Sequence, residues 1–135
     1  MKNNRCFVDT SALIALNHAG DQKHAASREI SLKLKDNQLM ISDAVINETY
    51  NILRYRLGFQ KAAYFLKMVL RDNTFIIVDV TPSIRADTLQ LLEQYNDHKI
   101  SYCDALSVAI MKERQIHKIF SFDYHFTIMG VEVVQ

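Results

Sequence analysis

Short apolar runs separated by longer amphipathic segments are the dominant pattern along this chain. The apolar runs lie at residues 6–8, 39–41, 75–78, 119–120 and 131–134. Their length, their flanking residues and their β-branched side chains favour strands over helices. The segments between them carry apolar residues at three- and four-residue steps, which predicts helices. The pattern therefore predicts strands that alternate with helices.

Six helices are predicted, and local start signals define two of them well. Thr81 followed by Pro82 is typical of an N-cap with proline at the first helical position, and predicts a helix to about residue 95. Ser101 with Asp104 three residues later has the form of a capping box, and predicts a helix to about residue 114. The other helices are predicted over residues 11–16, 22–34, 43–57 and 59–70.

This alternation predicts an α/β fold. Strands that alternate with helices are joined by crossover connections, which place them in a mostly parallel sheet with helices on both faces. No repeat, charge block or linker rich in Pro, Gly or Ser divides the sequence, so residues 1–135 are predicted to form a single domain. Ligands of such sheets bind beyond the carboxyl ends of the strands, and functional residues are expected there.

Composition and charge exclude several classes of protein. With 49% hydrophobic and 23% charged residues, three glycines and one proline, the chain is neither disordered nor of low complexity. Its apolar runs are far shorter than the ~20 residues that span a bilayer. The N-terminal segment lacks the long apolar stretch of a secretory signal, so a cytoplasmic location is expected. Because the net charge is only +1, affinity for nucleic acid must come from local patches.

Four acidic residues occupy positions where function is expected. Asp9 and Asp123 follow predicted strands. Glu48 borders the apolar stripe of its helix, and Asp104 lies at a predicted helix start. Each position also has a structural explanation: a helix cap for Asp9 and Asp104, a turn for Asp123, and a solvated carboxylate on a packed stem for Glu48. At the level of the single residue, both interpretations stay open.

Convergence of the four carboxylates would have a chemical consequence. Two like charges about 5 Å apart at an effective dielectric constant of about 20 repel by roughly 3 kcal/mol. Such a cluster either takes up protons or binds a hard divalent cation, and its oxygen ligands suit Mg²⁺ or Mn²⁺. An ion of this kind activates water and neutralises charge on a phosphate. Convergence would therefore predict hydrolysis of a phosphodiester.

Four short motifs resemble, in the same order, those of the PIN-domain nucleases. The motifs are residues 7–16, 45–49, 101–106 and 120–126, and each contains one of the four acids. The resemblance implies a parallel, roughly five-stranded sheet flanked by helices, and an RNA-cleaving site that uses Mg²⁺ or Mn²⁺. It implies direct metal binding by Asp9 and Asp104. Glu48 and Asp123 would complete the site, and Ser121 would orient the final acid or a water molecule.

Among PIN-domain proteins, the chain looks most like the VapC toxins of bacterial toxin–antitoxin pairs, since it has their length and a similar opening strand. This resemblance implies cleavage of structured RNA, a cognate antitoxin as partner, and a homodimer without membrane association. Two alternatives stay open. The chain could be a PIN nuclease of RNA processing or turnover with no toxin role, or a non-catalytic PIN-like binding module.

Basic and aromatic residues between positions 51 and 71 form a second candidate surface. This segment contains no Asp or Glu, and its Arg54, Arg56 and Lys61 are the candidate contacts for RNA or for an antitoxin segment. The structural alternative is an amphipathic helix pair with a solvated basic face.

Thr10 and Ser11, adjacent hydroxyl residues of the first motif, are expected to cap a helix rather than to take part in catalysis. His125, close after Asp123, could approach the site, but a surface position is favoured.

Overall fold

The structure, a computed structural model, describes residues 4–135. Met1, Lys2 and Asn3, the start of the N-terminal segment in which no secretory signal is expected, lie outside the described residues. The strands are β1 (Arg5–Val8), β2 (Gln38–Ser42), β3 (Phe75–Val78), β4 (Lys118–Phe120) and β5 (Glu132–Val133). The helices are α1 (Thr10–Asn17), α2 (His24–Lys33), α3 (Asp43–Leu57), α4 (Phe59–Arg71), α5 (Pro82–Gln94), α6 (Tyr102–Arg114) and α7 (His125–Ile128). Among residues 4–135, none of these helices has the length and apolar character needed to cross a bilayer.

All five strands run parallel in one sheet, in the order β3-β2-β1-β4-β5. The chain adds β2 and β3 on one side of β1, and then crosses to the other side to add β4 and β5. The topological switch point therefore lies between β1 and β4, where the crevice of an open parallel sheet binds its ligands. The predicted α/β fold with a roughly five-stranded parallel sheet is confirmed.

The two central strands are buried on both faces. Residues 6–8 of β1 and residues 119–120 of β4 are at most 1% exposed. Because consecutive strand residues point to opposite faces, helices must cover both sides of these strands. Each large apolar side chain buried in this way contributes roughly 1.5–3 kcal/mol to folding. The strands that lead into the crevice are thus anchored in the core.

Side-chain caps set the starts of the two helices that carry candidate acids. The hydroxyl of Ser42 accepts the N–H of Val45 at 3.3 Å, so α3 begins directly at the end of β2. The hydroxyl of Ser101 accepts the N–H of Asp104 at 3.1 Å, which confirms the predicted start of α6. Each cap stabilises its helix start by about 1 kcal/mol. These starts determine the positions of Glu48 and Asp104 at the crevice.

The short helix α7 is absent from the sequence-based prediction. It has four residues, too few for an apolar period to show. The Oδ1 atom of Asp123 accepts the backbone N–H of His125 at 2.9 Å, which starts the turn. Phe126, which is fully buried, anchors it to the core. The segment after β4 is therefore held beside the crevice.

Candidate metal centre

A cleft of about 510 Å³ opens at the carboxyl ends of β1 and β4. The four predicted acids all line it: Asp9, Glu48, Asp104 and Asp123. β1 runs directly into Asp9, β4 leads into Asp123, and helices α3 and α6 bring the other two carboxylates from the side. The fold thus brings the four residues to one edge of the sheet, which is the convergence on which the expected metal chemistry depends.

Asp9 is held by two hydroxyl groups, one from the first turn of helix α1 and one from the residue after β4. Only 3% of Asp9 is exposed. Its Oδ2 atom accepts hydrogen bonds from the hydroxyls of Ser11 (2.7 Å) and Ser121 (2.9 Å), although Ser121 lies 112 positions away. The backbone N–H of Asp9 donates to the carbonyl of Phe120 at 3.0 Å, which continues the β1–β4 pairing and brings Ser121 alongside. The carboxylate of Asp9 is therefore fixed both by the start of α1 and by the end of β4.

Backbone N–H groups set the direction in which both serine hydroxyls donate. The hydroxyl of Ser11 accepts the N–H of Phe122, and that of Ser121 accepts the N–H of Asp123, each at 2.9 Å. A hydroxyl that accepts such a bond still has one proton to donate, and here both protons go to Asp9. Ser121 thereby connects the carboxylate of Asp9 to the backbone of Asp123.

The expectation that Ser11 caps the first helix is wrong. Helix α1 begins at Thr10, one residue earlier than predicted, so the N-cap position falls on Asp9, which accepts the N–H of Ser11 at 3.2 Å. The hydroxyl of Ser11 is then available to the cleft. A one-residue difference in a helix boundary lies within the ordinary uncertainty of sequence patterns, and here it moves a side chain from a structural role into the site.

Asp104, Asp123 and His125 form the tightest group of possible metal ligands among the described residues. One ligand atom from each lies within 4.8 Å of the other two. The Nδ1 atom of His125 is 3.2 Å from Oδ1 of Asp123 and 3.9 Å from Oδ2 of Asp104. The surface position favoured for His125 is wrong and the alternative, an approach to the cleft, is observed, because its side chain is 17% exposed and lines the cleft. The unpredicted turn of α7 carries it there.

Asp9 and Glu48 lie outside this tightest group but act on it electrostatically. Burial, followed by the carboxylates of Asp9, Asp123 and Glu48, raises the pKa of Asp104 from 3.8 to about 8. Burial also raises the pKa of Asp9, against the opposing effect of the hydrogen bonds from Ser11 and Ser121. A cluster with this electrostatic cost is expected to hold a shared proton or a cation.

Cys103 borders the acids and keeps its proton. Burial, together with the carboxylates of Glu48, Asp9 and Asp104, raises the pKa of this thiol to about 12. The thiolate, which is the form that binds metals and attacks substrates, is therefore not populated at neutral pH. Cys6 is also a free, buried thiol with a pKa of about 12. The donor set of the cleft is thus dominated by oxygen.

The basic residues of the cleft differ from those that the sequence indicated. Of the three predicted contacts, Arg56 lines the cleft, whereas Arg54 and Lys61 are exposed elsewhere. Side chains two residues apart on a helix differ in direction by roughly 200°, so Arg54 and Arg56 lie on different sides of α3. Lys23 and Lys99 also line the cleft. They lie outside the motifs, and no local signal distinguishes them from other surface lysines.

Comparison with known proteins reveals relatives along nearly the whole chain. A family model described as PIN domain matches residues 6–131. The chain is 32% identical over 129 residues to the 23S rRNA-specific endonuclease VapC20 of two Mycobacterium tuberculosis strains, covering 94% of this chain and 96% of VapC20.

Solved structures agree with this match. The crystal structure of Mycobacterium tuberculosis VapC20, described as a Sarcin-Ricin loop cleaving toxin, superposes with a TM-score of 0.87 at 27% identity, covering 93% of this chain and 95% of that one. FitAcB from Neisseria gonorrhoeae shares the fold, with a TM-score of 0.66 at 15% identity and 96% coverage of both chains.

Proposed function

This chain belongs to the PIN-domain family, and from this premise we propose that it is a metal-dependent endoribonuclease, the toxin of a toxin–antitoxin pair. The observation that carries the proposal is the convergence of the four acids on one cleft at the topological switch point. Because the relative VapC20 is a 23S rRNA-specific endonuclease, we extend the proposal to structured ribosomal RNA as the class of substrate.

The donor set of the cleft fits Mg²⁺ or Mn²⁺. Carboxylate oxygens are the ligands that these hard cations prefer, and the neighbouring thiol stays protonated. We propose that Asp9 and Asp104 hold the ion, with Asp123 and Glu48 completing its surroundings. A bound ion of this kind neutralises charge on the phosphate and activates water for attack on phosphorus.

Ser11 and Ser121 are proposed to orient the acids. Both hydroxyls donate to Asp9, so its carboxylate keeps a single orientation towards the cleft. Ser121 also accepts the N–H of Asp123, and this bond sets the spacing between the first and last acids. A misplacement of about 1 Å in such a site can cost roughly 100-fold in rate. The two serines are therefore proposed to keep the acids in the positions that phosphodiester hydrolysis needs.

Basic side chains on both sides of the acids are proposed to bind the RNA backbone. Lys23, Arg56 and Lys99 line the acid cleft. A second groove of about 460 Å³ adjoins it, shares Lys23, and is also lined by Lys33 and the exposed Tyr124. Cations along this path would neutralise phosphates on either side of the cleaved bond, and Tyr124 offers an unpaired base a stacking surface.

The antitoxin is proposed to bind helices α3 and α4. A groove of about 260 Å³ there is lined by apolar side chains, including the exposed Phe59 and Leu70, and by the basic Lys67 and Arg71. An amphipathic helix with acidic residues beside its apolar face would fit this groove. Arg54 and Lys61, exposed on the same two helices, stay candidate contacts for such a partner. The homodimer also stays a proposal, which light scattering of the purified protein can test.

Cleavage of a defined RNA tests the enzymatic part of the proposal. A labelled 23S rRNA fragment that contains the sarcin–ricin loop is incubated with the protein in Mg²⁺, in Mn²⁺ or in EDTA. We expect cleavage only with the cations, products with 5′-phosphate and 3′-hydroxyl ends, and no cleavage by Asp104→Asn. Asp79→Asn is the matched control, because Asp79 also follows a strand but is exposed and outside the cleft lining. Cleavage in EDTA or a 2′,3′-cyclic phosphate product would contradict the mechanism.

Expression in a bacterial host separates the toxin from the alternatives. We expect growth arrest on induction, relieved by Asp104→Asn. Unchanged growth together with cleavage in vitro would favour a nuclease of RNA processing. RNA binding without any cleavage would favour a non-catalytic binding module.

A further inference from the structure

The ring of His125 is held in a defined position beside two of the acids. The backbone N–H of His125 donates to Oδ1 of Asp123 at 2.9 Å, and its Nδ1 atom lies 3.2 Å from the same oxygen. The ring of Tyr124 packs on it with a centroid distance of 4.4 Å and a tilt of 39°. Nδ1 also lies 3.9 Å from Oδ2 of Asp104, which is too long for a hydrogen bond. The ring is thus directed between two carboxylates without bonding to both.

These spacings suit atoms that share one cation. Ligand atoms at about 2.1 Å from a six-coordinate ion lie roughly 3–4 Å from one another. The two distances from Nδ1 fall within this range, and the ligand atoms of Asp104, Asp123 and His125 are mutually within 4.8 Å. Among the described residues, His125 is the only histidine that lines the cleft.

We propose that His125 binds the metal through Nδ1 and gives the site a preference for Mn²⁺ over Mg²⁺. Both ions prefer oxygen ligands, but Mg²⁺ demands them more strictly, whereas Mn²⁺ is a transition-metal ion and accepts an imidazole nitrogen more readily. The exchange of one oxygen ligand for nitrogen therefore weakens the binding of Mg²⁺ more than that of Mn²⁺. This inference rests on the proposed metal-dependent function and names a ligand in addition to the four acids.

Pulsed electron paramagnetic resonance of the Mn²⁺-loaded protein tests the direct bond, because a ligating imidazole nitrogen couples to the ion. The full chain is prepared free of metal and loaded with Mn²⁺ alone. We expect a ¹⁴N coupling in the wild-type protein that is lost in His125→Asn, which keeps a polar atom near the position of Nδ1. The control His117→Gln should retain it, because His117 is exposed and precedes β4 at the opposite edge of the sheet.

Labelling identifies the donor without any substitution. In wild-type protein whose histidines carry ¹⁵N, the ¹⁴N signal should be replaced by a ¹⁵N signal. This measurement shows that a histidine binds the ion even if His125→Asn fails to fold, and His125 is the histidine that lines the cleft among the described residues. A Mn²⁺ signal without nitrogen coupling, or a coupling that persists in His125→Asn, would overturn the inference.

Competition between the two cations tests the selectivity. The ratio of the Mg²⁺ to the Mn²⁺ dissociation constant should fall at least about tenfold in His125→Asn. Removal of a mere outer-shell partner already lowers metal affinity roughly 10- to 100-fold, so loss of a direct ligand should change the ratio at least by the lower of these factors. An unchanged ratio together with Mn²⁺ binding would overturn the role of His125 and leave the nuclease proposal intact. Absence of Mn²⁺ binding to the wild-type protein would overturn both.

Discussion

Replacement of Asp104 by asparagine is expected to abolish cleavage and yet to stabilise the metal-free protein at pH 8. Burial and the neighbouring carboxylates raise the pKa of Asp104 to about 8, whereas the unfolded chain has an ordinary value near 3.8. Between these two pH values the folded protein keeps a proton that the unfolded chain has lost. The free energy of unfolding therefore falls as the pH rises through this window. Asparagine resembles the neutral form and cannot ionise.

The size of the effect follows from the raised pKa. Each pH unit inside the window removes at most about 1.4 kcal/mol from the free energy of unfolding, so pH 5 to pH 8 removes at most about 4 kcal/mol. Asp104 shares its proton with a coupled cluster, and the cleft is open to solvent, which screens the interaction. We therefore expect about half of this limit, about 2 kcal/mol.

Urea denaturation in EDTA at pH 5 and at pH 8, followed by circular dichroism, measures this difference. Between the two pH values the wild-type protein should lose about 2 kcal/mol more than Asp104→Asn. The comparison isolates Asp104, because burial raises the pKa of Asp9 in both proteins. The control Asp79→Asn should follow the wild-type protein. At pH 8, Mn²⁺ at 100 times its dissociation constant should stabilise only the proteins that bind it, by about 2.7 kcal/mol. A stability of Asp104→Asn no greater than that of the wild-type protein at pH 8 in EDTA would contradict the raised pKa of Asp104.

Other parts of the molecule give further tests. Ser11→Ala and Ser121→Ala should each lower kcat roughly 10- to 100-fold with little change in KM. Steady-state kinetics at saturating metal measures both constants, and an effect on KM alone would contradict the orienting role of the serines. Arg56→Ala should raise KM and weaken its salt dependence, whereas Arg54→Ala should do neither, and equal effects would refute the proposed RNA path. Gly58→Ala should cost about 1 kcal/mol in urea denaturation despite open space around the added Cβ, because φ is +93° there; unchanged stability would show that the loop relaxes.

Local signals in the sequence predict most of the secondary structure. Helix α3 spans Asp43–Leu57, as its apolar spacing predicts, and α6 starts at the predicted cap. Both signals arise from residues within one helical turn of each other, so they are present in the sequence itself. Helix α7 is missed because four residues are too few to show a period. The start of α1 is missed by one residue, and with it the contribution of Ser11 to the cleft.

The candidate acids are predictable individually, but their surroundings are not. Positions after strands mark Asp9 and Asp123, and a helix start marks Asp104. The border of an apolar stripe marks Glu48, and the resemblance to PIN-domain motifs groups the four.

Its place two residues after Asp123 indicates that His125 could approach the site, but no sequence pattern indicates that its ring lies between two carboxylates. Lys23 and Lys99 likewise have no local pattern that would assign them to the cleft. Their positions depend on contacts between distant segments.

Periodicity and capping depend on neighbours along the chain, so most strands and helices, and the residue types at their ends, can be predicted from local signals. Which of those ends meet depends on tertiary packing. The order β3-β2-β1-β4-β5 results from packing of the whole core, and it puts Asp9 beside Ser121 and its hydrogen-bonded partner Asp123. Burial in that cleft then raises the pKa of Asp104, an effect that no isolated segment could produce.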